Sequence, residues 1–187
     1  MNRSELILKA AEICMREKGF HQTSVQSIAS QAGISVGLIY KYYESKEAIV
    51  KALVTSVVQH MVDLLNAEFE KVAHAENIPH LMQDIVPPAL EHSIVLLMEV
   101  SSEATRNGSI QQIMDDAWHV LKNNFIRQEQ TLNSRLDANT IHARLYIMSL
   151  VIDGMIIQRS LKQRDFPASF MPFFNAITQD INHYDAA

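Results

Sequence analysis

Tyr40, Lys41 and Tyr42 stand in a row, with Lys46 one helical turn further on and Ser35, Val36 and Gly37 just before them. Tyrosine hydroxyls and lysine ammonium groups reach phosphate oxygens, and a glycine lets a backbone approach a duplex closely. Thr23 and Ser24 add two hydroxyls upstream. The chemistry this set could do is recognition of a nucleic acid: Thr23, Tyr40, Tyr42 and Lys46 on phosphates, Ser35, Val36, Gly37 and Lys41 towards bases, and Ser24 as a further DNA contact. The same residues also suit a small helical hairpin with half-buried tyrosines, so the frame around them matters.

That frame runs from Thr23 to Lys46. Thr23 is read as a helix N-cap with Gln26 three residues on as its reciprocal partner. Val25, Ile28, Ala29 and Ala32 then recur at helical spacing. Gly33 can take the left-handed conformation that ends a helix. Ser35 is the next N-cap, and a second helix is expected over Val36–Tyr43 with Leu38 and Ile39 inward. Helix, glycine turn and helix at this spacing form a helix-turn-helix pattern. Before it, Leu6, Ile7, Ala10, Ala11, Cys14 and Met15 place a helix over Ser4–Lys18, ended by Gly19, with Phe20 packing back.

With that helix included, the run ILKAAEICMREKGFHQTSVQSIASQAGISVGLIYKYYESKEAIV resembles the N-terminal domain of the TetR/AcrR family of bacterial transcriptional regulators. Ile7, Leu8, Ala10, Ala11, Gly19, Phe20, Thr23, Val25, Ile28, Ala29, Ala32, Gly33, Ser35, Gly37, Tyr40, Lys46 and Glu47 carry the resemblance in one unbroken register. Cys14 and Met15 depart from the family's usual Leu and Phe, and Tyr42 and Tyr43 from its His or Tyr followed by Phe. Val36 replaces a frequently polar or basic residue, a change that touches base preference through a thymine methyl. The resemblance implies an all-α fold: a three-helix helix-turn-helix DNA-binding domain over residues 1–48, joined by a long helix to a helical effector-binding and dimerisation domain over 49–187.

Charge agrees with that division. The net formal charge is −5, which alone argues against a polyanion partner. Residues 1–51, however, hold seven Lys/Arg against five Asp/Glu, leaving nine against sixteen in the remainder. The basic part is where the candidate contacts are. The lone Cys14 cannot make an internal disulfide. It shares a helix face with Ile7, Ala10 and Ala11, as a buried small apolar residue would. No cleavable leader is expected in MNRSELILKAAE, nor any segment apolar enough to span a membrane, so the expected location is the cytoplasm.

Beyond Lys46 a helical pattern continues to about Glu76. Ile49, Leu53, Val57 and Met61 form one stripe, and Val50, Val54, Val58 and Val62 a second, so the helix should touch two neighbours and act as a stiff rod. A segment ending at Val86 before Pro87-Pro88 follows, then a helix over Ala89–Arg106 stopped by Asn107-Gly108. The next is expected over Ser109–Ser134, with Ile110, Ile113, Met114, Ala117, Trp118, Leu121, Phe125 and Leu132 inward. Asp137 or Asn139 can cap a helix over Thr140–Lys162, apolar nearly all round, with Ile141, Leu145, Met148, Ile152, Met155 and Ile156 on one side. Phe170, Phe173, Phe174, Ile177 and Ile181 mark a last helix. This apolar C-terminal pair suggests a partner, and the resemblance implies a homodimer through it. Two recognition helices about 34–36 Å apart then read a pseudo-palindromic operator in double-stranded DNA.

Met82, His92, Leu96, Glu99, Glu103, Met114, Trp118, Phe125 and Met148 could line a site for a small, largely apolar effector. Such stripes are also plain core material. The preferred reading of Glu103 is a pair with Arg106 at i,i+3 on a wet face. The eight histidines show no metal-ligand spacing. Phosphate-cradling loops, Glu-x-x-His pairs and nucleophile elbows are missing from the sequence, so neither an enzyme nor a cofactor is expected. Two readings remain: a regulator released from DNA by a small molecule, and a helix-turn-helix protein whose C-terminal part serves only dimerisation or protein docking.

Overall fold

The computed structural model describes residues 2–73, 88–132 and 134–160, with short pieces at 169–170, 172–173 and 176. Seven α-helices and no strand occur among the described residues: α1 (Arg3–Gln22), α2 (Val25–Ala32), α3 (Val36–Ile39), α4 (Lys46–Ala73), α5 (Pro88–Ala104), α6 (Gly108–Leu132) and α7 (Ala138–Ser160). They fall into two compact units, Met1–Met61 with His92–Val120, and Val62–Glu91 with Leu121–Ala187.

The first unit begins with a capping box at Asn2, whose side chain accepts from the Glu5 amide while Glu5 reaches back to the Asn2 amide. The regular helix breaks at Gly19, where φ is 76° and ψ 169°, a combination essentially reserved for glycine. The next residue, Phe20, is buried, as the sequence predicts. Ile7, Ala10, Ala11, Cys14 and Met15 of α1 pack into the core with Ile28 and Ala29 of α2, Ile39 of α3 and Ile49, Val50, Leu53 and Val54 of α4. Cys14 is fully inside, its thiol facing the Ser27 carbonyl at 3.6 Å. Ile94, Leu96 and Val100 of α5 and Ile110 of α6 are buried in the same unit.

Both stripes of α4 are buried as far as Val57 and Val62, with Met61 half-buried, so the helix does touch neighbours on two sides. By length and composition alone Lys46–Ala67 could cross a membrane, which corrects the expectation that no segment would. Within that segment Ile49, Val50, Leu53, Val54, Val57 and Val58 are buried against protein. The expected extension of α4 to Glu76, the segment up to Val86 and most of the C-terminal helix lie outside the described residues.

Asn107-Gly108 behaves differently from its reading as a helix stop. The Asn107 side chain accepts from the Ser109 and Ile110 amides, and its carbonyl accepts from Gln111. It is therefore the N-cap of α6, and Gly108 is the first helical residue. A stop and a start share composition here because asparagine caps well and glycine fits either end.

In the second unit Gln128 of α6 donates to Asn66 of α4 at 3.0 Å. Phe125, Ile141 and Leu145 are buried together with the polar Asn124 and Arg144. Burial raises the Glu129 carboxyl, an effect the Arg144 charge partly offsets. Asp137 caps α7, accepting from the Asn139 and Thr140 amides, and its Thr140 hydrogen bonds hold its carboxyl below the usual range. Leu132, expected inward, is 43% exposed. It is the last residue of α6, at an end where the helical spacing continues but no packing is required of it.

Candidate nucleic-acid interface

The α2–turn–α3 segment is built by local chemistry. Ser24, not Thr23, caps α2: its hydroxyl accepts from the Ser27 amide, while Ser27 Oγ accepts from the Ser24 amide. The expected partner Gln26 is thus replaced by Ser27. Helix α2 closes at Gly33, with φ 65° and ψ 34°, while the Ile34 amide donates to the Ala29 carbonyl at 3.0 Å. Ser35 then caps α3, accepting from the Leu38 amide at 3.2 Å. The regular part of α3 is only Val36–Ile39, shorter than the expected Val36–Tyr43. The Tyr42 and Tyr43 amides both turn back to the Ile39 carbonyl, so residues 40–42 form turns rather than more helix.

This geometry leaves the proposed contact residues in two groups. Ser24, Ser35, Gly37, Tyr40, Lys41 and Tyr42 are exposed, and Val36 is half-buried. Tyr40 and Tyr42 show 53% and 47% of their surface, far too much for core residues. Nothing lies within 4 Å of a Cβ built on Gly37, so the backbone there faces open space. Tyr43, by contrast, is tied down by a 2.6 Å hydrogen bond between its hydroxyl and Ser4. The anchored ring is next to the free one.

Thr23 and Lys46 are corrected. Thr23 is 1% exposed, and its hydroxyl donates to the Gly19 carbonyl at 2.9 Å, so it locks the end of α1 and offers nothing to a phosphate. Lys46 turns inward too: its Nζ donates to the Phe20 carbonyl at 2.6 Å and sits 4.0 Å from the Phe20 ring centroid. Burial lowers the Lys46 ammonium, and the charges of Glu47 and Glu103 oppose that shift. Both residues sit in the first unit's framework, where the sequence marks their type but not their direction.

The candidate effector residues are divided as well. Leu96, Glu99, Glu103, Met114 and Trp118 belong to the first unit, and Phe125 and Met148 to the second. Met82 and the His92 side chain lie outside the described residues. Leu96 and Phe125 are buried, while Met114, Trp118 and Met148 are half-buried. Glu99 is exposed. Glu103 is 5% exposed and pairs with Arg106 at 2.9 Å, so the i,i+3 partner is right but the face is dry, not wet. With that carboxylate already engaged by protein, Glu103 is not a free ligand-binding group. Sequence reasoning missed His21 and Ser27. An imidazole beside an aromatic near a helix end, and a second hydroxyl at N3 of a Ser-capped helix, are the only signals they give.

These features define an all-helical protein whose N-terminal helices carry a helix-turn-helix with an exposed polar surface. Residues 7–53 match the family model for bacterial regulatory proteins of the tetR family. Residues 7–53 thus form a domain of the tetR-family type. The chain is 27% identical over 126 residues to the HTH-type transcriptional regulator UidR of Escherichia coli (strain K12), a match covering 65% of this chain and 61% of the relative. A fatty acid metabolism regulator protein of Bacillus subtilis (strain 168) is 33% identical over 70 residues, 37% of this chain and 36% of that one. The chain thus spans less than two thirds of the length of these relatives. A solved chain from Mesorhizobium loti assigned to the TetR family has the same fold, with a TM-score of 0.70 at 18% identity, covering 97% of this chain and 96% of that one. A transcriptional regulator from Saccharomonospora viridis in complex with choline also shares the fold, with a TM-score of 0.64 at 24% identity over 96% of this chain and 95% of that one.

Proposed function

We propose that this chain is a ligand-responsive DNA-binding transcription regulator, a repressor that holds a pseudo-palindromic operator as a homodimer. Residues 1–48 act as the DNA-binding part and residues 49–187 as the effector-binding and dimerisation part. The observation that carries the reading is the α2–α3 surface. Behind the left-handed Gly33 turn, Ser35, Tyr40, Lys41 and Tyr42 are exposed, and the Gly37 backbone is open. Tyr40 and Tyr42, with the Ser24 hydroxyl, take the phosphates; Ser35, Val36, Gly37 and Lys41 face the bases.

The outer face of α7 supports the homodimer: Tyr146, Ile147, Leu150 and Ile157 are each at least 40% exposed and recur at helical spacing. The effector is a small molecule held in the helical body, a reading supported by the choline complex of a protein with this fold. Effector binding favours a conformer in which the two heads no longer match the operator spacing. The chain works in the cytoplasm without a membrane partner and catalyses no reaction. The test is a mobility shift with the DNA upstream of its own coding region, with and without candidate effectors. A sequence-specific shift at moderate salt is expected, and its absence would overturn the reading.

A further inference from the structure

Two sets of contacts grip the C-terminal end of α1 in the first unit. Lys46, at the start of α4, takes the Phe20 carbonyl and covers the Phe20 ring. Glu103, in the last turn of α5, places Oε2 3.1 Å from His21 Nε2. The same oxygen accepts from Arg106 through Nε at 3.0 Å and Nη2 at 2.9 Å. Arg106 Nε also lies 3.2 Å from His21 Nε2. A neutral imidazole therefore accepts from Arg106, and a protonated one donates to Glu103, so His21 keeps a partner in either state. Glu99 Oε2 comes within 3.5 Å of the point where a Cβ on Gly19 would sit.

What distinguishes this cluster is the burial of Glu103 beside an exposed histidine and an exposed arginine. The Glu103 side chain is 7% exposed, against 66% for His21 and 52% for Arg106. A buried carboxylate held by several donors fixes direction in a way that apolar packing does not, and removing a partner leaves its charge uncompensated. The consequences run outward through short links. The Thr23 amide and hydroxyl are bonded to the Phe20 and Gly19 carbonyls, and the next residue, Ser24, caps α2. Residues 19–23 thus set where α2 starts, and the Gly33 turn sets α3 relative to α2.

We propose that Glu103 is a positioning residue for the DNA-contacting surface: with Arg106 and His21 it ties the α5–α6 corner to the end of α1, so that a shift of the corner carries α2 and α3 with it. The proposal rests on the DNA-binding reading above and adds to it the contact through which the α5–α6 corner controls the head.

The experiment uses the full chain and a duplex selected by the wild-type protein from a randomised library, with binding measured at fixed moderate salt. Glu103→Gln should weaken binding about tenfold, the factor given by the loss of one charge-assisted hydrogen bond. His21→Ala, made at an exposed side chain and therefore mild for folding, should weaken it less. The double variant should be no weaker than Glu103→Gln alone, because both break the same contact. Native-state hydrogen exchange separates positioning from general stability. In Glu103→Gln the amides of Thr23, Ile28, Arg106 and Asn107 should exchange faster while those of Ala11, Cys14 and Met15 stay as in the wild type. Exchange that rises equally everywhere, or wild-type affinity in Glu103→Gln, overturns the proposal alone. A wild-type chain that selects no duplex overturns the DNA-binding reading and the proposal with it.

Discussion

On the α2–α3 segment the exposed side chains include Ser24, Ser35, Tyr40, Lys41 and Tyr42; on α7 they include Tyr146, Ile147, Leu150 and Ile157. The first set is hydroxyl and ammonium groups on tight, fully capped turns. Water satisfies these groups well, and they can exchange it for phosphate oxygens at little cost. The second set is a row of large apolar groups that gain nothing from water and much from a covering surface. Exposure means readiness for an ionic, salt-sensitive partner in one region, and a deficit of burial in the other. One chain thus carries two unlike unfinished surfaces, and each can be broken without touching the other.

The largest effect should come from α7. Leu150→Glu places a charge in the apolar row, and the proposed homodimer should separate, seen as a halved mass in sedimentation or light scattering; an unchanged mass would remove α7 from the interface. On the other surface, Tyr42→Ala should weaken DNA binding on every sequence by roughly 1–2 kcal/mol, the scale of a charge-assisted hydrogen bond, with the mass unchanged. Lys41→Ala should instead change which sequence is preferred, by about 1–3 kcal/mol at one base position. Equal losses on matched and mismatched duplexes for both variants would erase the assignment of phosphate and base roles.

Smaller changes sharpen the local account. Gly33→Ala forces a side chain into a left-handed turn and should lower stability by about 1–2 kcal/mol in a denaturant titration. Ser24→Ala should cost about 1 kcal/mol, whereas Thr23→Val should leave α2 intact and loosen the end of α1.

The smallest effect is a pH dependence on α7. Asp153 is exposed by area, yet its carboxyl is surrounded by enough protein to lose hydration, and that desolvation raises it above the usual carboxylate range. Its folded-state value lies above the unfolded one, so the native state binds more protons between them. The Asp153 contribution to stability is fully present below the unfolded value, near 4, and is lost as pH rises through the folded one. Asp153→Asn should therefore stabilise the protein at neutral pH relative to acid, measured as a difference in melting temperature between the two. A melting difference identical to the wild type would detach this residue from the apolar row.

The sequence carried the α2–α3 frame well because its signals are local. Gly33 ends a helix through its own backbone freedom, Ser35 caps one through its own hydroxyl, and the apolar residues between them sit at helical spacing. The same locality explains the misplacements. Thr23 and Ser24 are neighbours of one chemical kind, and which of them caps is decided by the break at Gly19, whose carbonyl claims the Thr23 hydroxyl. Asn107-Gly108 has the composition of a stop and does the work of a start.

Composition and periodicity by themselves determined the helical class, the glycine turn, the inward faces of α1, α2 and α4, and the all-round apolarity of α7. Each follows from residues within a turn or two of one another. Only the tertiary structure decided which charged groups are available. Lys46 is drawn under Phe20, and Glu103 is sealed against His21, 82 positions away in the chain. A lysine's reach and a carboxylate's hydration depend on whatever the fold places beside them, and no spacing within a single helix encodes that.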